Sequence, residues 1–127
     1  MSNVEPLPCN TIVYRAIRPK WVDPETNEVL PAAFVKRPSP DDDDGLSVDV
    51  LSAQSCATAL KKCKVASLHV GRVRDAGLDI TVDDYPHANI TNVPRAVDDE
   101  TAAARLSVAL ARQARLIPPE RYAAESP

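Results

Sequence analysis

The sequence predicts an α+β fold: a mostly antiparallel sheet of about five to six short strands with two helices packed against it. Three observations point there. Several segments alternate apolar and polar residues with the two-residue period of a half-buried strand. Two others repeat apolar residues at three- and four-residue steps, the spacing of one helix face. Only three glycines accompany twelve prolines, so the connections must rest on Pro, Asn and Asp turns in place of glycine turns with positive φ. A chain of 127 residues is expected to form one domain, here residues 11–118 between a flexible arm, 1–10, and a polar tail, 119–127.

Residues 11–17 are β-branched and aromatic and read as the first strand, ended by Arg18-Pro19. Trp21-Val22 and Val29-Leu30 flank the turn-rich residues 23–28 as a short irregular hairpin, and residues 32–35 read as another extended piece. Four adjacent carboxylates, Asp41 to Asp44, repel one another, so residues 38–45 read as an exposed loop. Leu46-Ser47-Val48-Asp49-Val50 then alternates strictly. Ser52 is placed to cap a helix over residues 53–62, with Cys56, Ala59, Leu60 and Cys63 as its buried stripe and Lys61-Lys62 at its negative end. Residues 65–73 form the expected central strand. Gly77 makes a turn, residues 78–82 and 87–93 are two further strands, and Asp83-Asp84-Tyr85-Pro86 separates them. Asp98-Asp99-Glu100 places carboxylates at the positive end of the last helix, over residues 101–116. Ala103, Leu106, Leu110, Ala114 and Ile117 are its inward stripe, and Pro118-Pro119 stops it.

Composition excludes several function classes. The formal net charge is -3 with a pI near 5.3, so no global basic field recruits nucleic acid. Aromatic residues are too scarce, at 4%, for a base-stacking platform. No apolar run reaches the length of a membrane span, and no basic-then-apolar leader opens the chain. Cys9, Cys56 and Cys63 lack zinc spacing and read as reduced thiols. The expected setting is therefore the cytoplasm, with no membrane and no metal site. The phosphate-cradling GxxxxGK[ST], the dinucleotide-binding GxGxxG, the zinc-binding HExxH and the nucleophile-bearing GxSxG are all absent. The acidic run lacks the alternate-position ligands of a calcium loop.

The candidate ligand-binding residues are Tyr14, Arg15, Arg37, Ser47, His87 and Asn89. Arg15, beside Tyr14 in the first strand, offers a planar fork of donors suited to an oxyanion, and Arg37 offers a second. Ser47 is presented by a strand entered from a polar loop. His69 lies within an apolar run and reads as a core residue, whereas His87 follows a proline and reads as exposed and titratable. Asn89 shares its strand face and is placed to orient a ligand or the imidazole. An RNase built on His69 and His87 would need both rings in one cleft.

The order of parts resembles the small ADP-ribosyltransferase-like toxin domains, including the RES group of NAD-consuming toxins. The likeness spans residues 11–60: Ile-Val-Tyr-Arg at 12–15, Phe-x-x-Arg at 34–37, then a loop into Gly-Leu-Ser-Val at 45–48 followed by a helix. It implies that Arg15 holds the phosphates of NAD and that Ser47 supports the nicotinamide ribose. The strand glutamate of that superfamily has no occupant. Glu100 opens a helix, and residues 65–93 hold no glutamate. Its transition-state electrostatics have no substitute here. The sequence therefore ranks a small soluble interaction or accessory domain first, in a bacterial toxin or defence setting, with a protein partner and no cofactor. An NAD-acting toxin ranks second.

Overall fold

The computed structural model describes residues 7–35, 46–59, 63–94 and 98–122. Six antiparallel strands form one sheet in the order β4-β5-β2-β1-β3-β6. They are β1 (Ile12–Ile17), β2 (Leu46–Asp49), β3 (Lys64–His69), β4 (Asp79–Asp84), β5 (His87–Thr91) and β6 (Arg115–Ile117). Three helices complete the α+β fold: α1 (Ala53–Ala59), α2 (Val70–Asp75) and α3 (Glu100–Gln113). The expected loop at 38–45, Arg37 with it, the residues 60–62 and most of both termini lie outside the described residues.

Alternation divides the core. Val13 and Ile17 of β1, Val48 of β2 and Leu68 of β3 pack on one face with Val73 of α2 and Leu106 and Leu110 of α3. On the opposite face Tyr14, Val65 and Ile117 pack with Ala53 and Cys56 of α1. The start of α1 is set as expected: Ser52 Oγ accepts the Ser55 amide at 3.0 Å. α3 begins where Asp99 Oδ1 accepts the Ala102 amide at 3.0 Å.

Three local expectations need correction. The run at 65–73 does not stay extended: it is β3 followed by α2. The turn into α2 is held from outside, by Val70 N–H on Thr11 O and Gly71 N–H on Cys9 O. A Cβ at Gly71 would stand 3.0 Å from that Cys9 oxygen, so glycine permits the close approach. The helix at 101–116 ends at Gln113, because Ala114 adopts an extended ψ of 137°. Arg115–Ile117 then pairs with β3 through Val65↔Ile117, and Pro118 favours the extended form at Ile117. Of residues 32–35 only Val35 is extended. Pro31–Phe34 is a single 3-10 turn, with Pro31 at its first position where a missing N–H costs nothing, and it packs beneath α3.

The two flanks of β1 differ. β1 pairs with β3 along its whole length, from Ile12↔His69 to Ile17↔Lys64. Its register with β2 holds only Tyr14↔Asp49, although β2 itself pairs fully with β5, from Leu46↔Ile90 to Asp49↔His87. The sheet is thus two three-stranded halves that part between β1 and β2.

Candidate functional site

A cleft of about 730 Å³ occupies that parting, within the range typical of small-molecule sites. Its walls show where it lies. Tyr14, Arg15 and Ala16 are consecutive on β1, and Leu46, Ser47, Val48 and Asp49 are consecutive on β2, yet all of them line it. Neighbouring residues of a strand point to opposite faces of a sheet. Both sets border one cleft because it runs along the open seam between the two strands. Cys56 of α1, Trp21 and His87 complete the enclosure.

Arg15 spans the parting. Its Nε and Nη2 donate to Ala33 O at 2.9 and 2.8 Å, and its Nη1 donates to Ser47 O at 2.7 Å. A side chain thus supplies a cross-strand bond where the β1–β2 backbone ladder has lapsed. The guanidinium also lies over the Phe34 ring, 5.4 Å from its centroid, a favourable cation–π placement. Three of its five N–H groups are used. All three go to neutral carbonyls, and no carboxylate among the described residues pairs with it. Burial lowers its pKa to about 10, with Cys56 acting in the opposite sense, so it stays charged at neutral pH.

The other charges in the cleft reinforce it. Arg18 and Lys20 also line the wall, and Arg18 lies 5.3 Å above the Trp21 ring. Asp49 is the single lining carboxylate among the described residues, and its oxygens are committed to the start of α1. Oδ1 accepts the amides of Leu51 and Ser52 at 2.8 and 3.2 Å, and Oδ2 accepts Ser55 Oγ–H at 2.7 Å. Burial first, then Asp49, push the buried Cys56 thiol up to about 12, against the pull of Arg15. It is therefore a packing group and not a thiolate nucleophile.

Tyr14, Arg15, Ser47 and His87, four of the residues singled out from sequence, line this one cleft. Arg37 lies outside the described residues. Asn89 is buried at 6% exposure and does not line the cleft. Its Nδ2 donates to Asp83 Oδ2 at 3.0 Å, and Asp83 Oδ1 lies 2.6 Å from His87 Nδ1. Asn89 thus orients the imidazole through a carboxylate. Asp83 was missed because Asp83-Asp84 reads as a break between strands; an acid four residues ahead of a histidine across a Pro turn was the available signal. A shift of register between Val82 and Asp84 re-aims the side chain, as bulges do. Burial raises the Asp83 carboxyl, but the bonds from His87, the Asp84 amide and Asn89 outweigh it and leave the pKa below its ordinary value.

His69 does not line the cleft. It sits on β3, three strands from β5 in the sheet order, or roughly 14 Å at the usual strand spacing. The paired-histidine RNase is excluded by that separation. Among the described residues no group of three His, Cys, Asp or Glu side chains is placed to hold a metal ion, and no helix is long and apolar enough to cross a membrane. Comparison with protein families, with curated proteins and with solved structures finds no match.

Proposed function

We propose that the chain is a binding module for a small phosphate-bearing anion of nucleotide size, taken into the parting between the half-sheets with its phosphate on Arg15. The observation that carries this is the state of Arg15. A half-buried guanidinium is costly to desolvate, and structural arginines recover that cost with a carboxylate. Among the described residues Arg15 has neutral carbonyls instead and keeps two N–H groups unused. Phosphate is the oxyanion that a planar guanidinium fork fits best. Arg18 and Lys20 add positive charge, and Trp21 offers a ring for a flat group. NAD is the ligand favoured by the likeness to ADP-ribosyltransferase-like domains, with Ser47 near its ribose. The missing strand glutamate favours binding over ADP-ribosyl transfer. A protein partner reading through Asp41 to Asp44 draws on residues outside those described, so the cleft ranks ahead of it.

Titration calorimetry with pyrophosphate, ADP and NAD tests the reading. Saturable binding that falls at least about tenfold, or 1.4 kcal/mol, in Arg15→Lys supports it, because lysine keeps the charge and loses the fork. Equal affinity in both proteins, or no binding of any of the three, sinks it.

A further inference from the structure

The cleft wall opposite Arg15 holds a group that anion binding alone does not require. His87 lines the cleft from the first position of β5. Its Nδ1 is taken by Asp83 at 2.6 Å, and Asp83 lies outside the lining set. The nitrogen left for a bound molecule is Nε2. Asp83 is itself held in place, because Oδ2 accepts from the buried Asn89 amide and Oδ1 also accepts the Asp84 amide at 2.7 Å. Among the described residues the carboxylate in contact with the ring is Asp83, and the register partners of His87 are Asp84 on β4 and Asp49 on β2.

We infer that Asn89, Asp83 and His87 form a proton-accepting relay on the cleft wall, with His87 Nε2 as the base toward a hydroxyl or water at the ligand held by Arg15. A carboxylate on Nδ1–H fixes the tautomer, so the lone pair sits on Nε2. In the step, the O–H bond of the hydroxyl or water breaks and the Nε2–H bond forms. The oxygen keeps the electron pair, and Asp83 balances the charge gained by the ring. Asp83 and Asn89 are positioning residues; His87 alone meets the ligand. The ligand in this scheme rests on the anion-binding reading, whereas the tautomer does not.

The test uses the full chain, isotope-labelled at nitrogen, and inorganic pyrophosphate as the probe. In mildly alkaline buffer, long-range proton–nitrogen correlation spectra report the tautomer of His87 directly, with no variant required. The expected result is Nδ1–H with a bare Nε2. Pyrophosphate should then shift Arg15 Nε and His87 Nε2 along one saturation curve. Asp83→Asn offers one oxygen to three donors, so it should mix the tautomers and slow carbethoxylation of His87 severalfold, while pyrophosphate still reaches Arg15. An Nε2–H tautomer in the unaltered protein overturns the relay. A shift at Arg15 with none at His87 also overturns it and leaves the anion site standing. No shift at either residue, with the expected tautomer, removes the anion site and takes from the relay the ligand it would act on.

Discussion

β1 has two neighbours and binds them by different means. Toward β3 the backbone does everything: every residue from Ile12 to Ile17 has a register partner, and Val13, Ile17 and Leu68 are sealed into the core. Toward β2 the backbone pairs once, at Tyr14↔Asp49, and Arg15 bonds across the gap to Ser47. The closed seam satisfies its backbone groups along the full ladder. The open one exchanges ladder bonds for a charged side chain, two unused donors and a volume that a ligand can enter.

The comparison breaks first under loss of its shared support. Phe34 is fully buried, lies under Arg15 and joins the main core. Phe34→Ala should therefore cost about 3–5 kcal/mol by urea denaturation and weaken pyrophosphate binding as well. Arg15→Met separates the two seams. It removes three hydrogen bonds but also relieves a desolvated charge, so stability should fall by only about 1–2 kcal/mol while pyrophosphate binding disappears. A loss as large as that of Phe34→Ala would mean that Arg15 is a structural staple.

How far the molecule was legible follows the same division. β-Branched and aromatic residues marked β1, alternation marked β2 and β4, breaks at Pro86 and Pro94 bounded β5, and the carboxylates before Glu100 marked the start of α3. Those signals are local. α2 was not legible, because Val70 and Val73 read as strand residues and become helical only against the Cys9 and Thr11 carbonyls. β6 is three residues whose extended form depends on distant β3. The same holds at the site. The chemistry of Arg15, Ser47 and His87 was visible in their types and positions. Their convergence was not, since alternation assigns Arg15 and Ser47 to opposite sheet faces, and only the parting of β1 from β2, a property of register, brings them together.

Smaller effects sharpen the picture. Asp99→Ala removes the α3 cap and should cost about 1 kcal/mol, with pyrophosphate affinity unchanged, since the cap is remote from the cleft. Cys56, its thiol pushed up to about 12, should be alkylated at neutral pH far more slowly than exposed Cys9, with modified sites read by mass spectrometry. The smallest effect is a pH dependence. The carboxyls of Asp79 and Asp83 lie below their ordinary 3.8 in the folded chain. For Asp79 the Ile80 amide and then Arg74 are the main causes of the lowering. Each stabilises the fold fully above 3.8, and that contribution is lost as pH falls through its folded value. Both are largely solvated, so the slope should be shallow, and Asp83→Asn should flatten it further in acid denaturation followed by circular dichroism.

The most direct measurement is the Arg15 Nε resonance of the full chain during a pyrophosphate titration. The parted sheet predicts a saturable shift there and at the Ser47 amide, with Gln113, which does not line the cleft, unmoved. Silence at Arg15, or a shift confined to Arg72, Arg112 and Arg115, would contradict it.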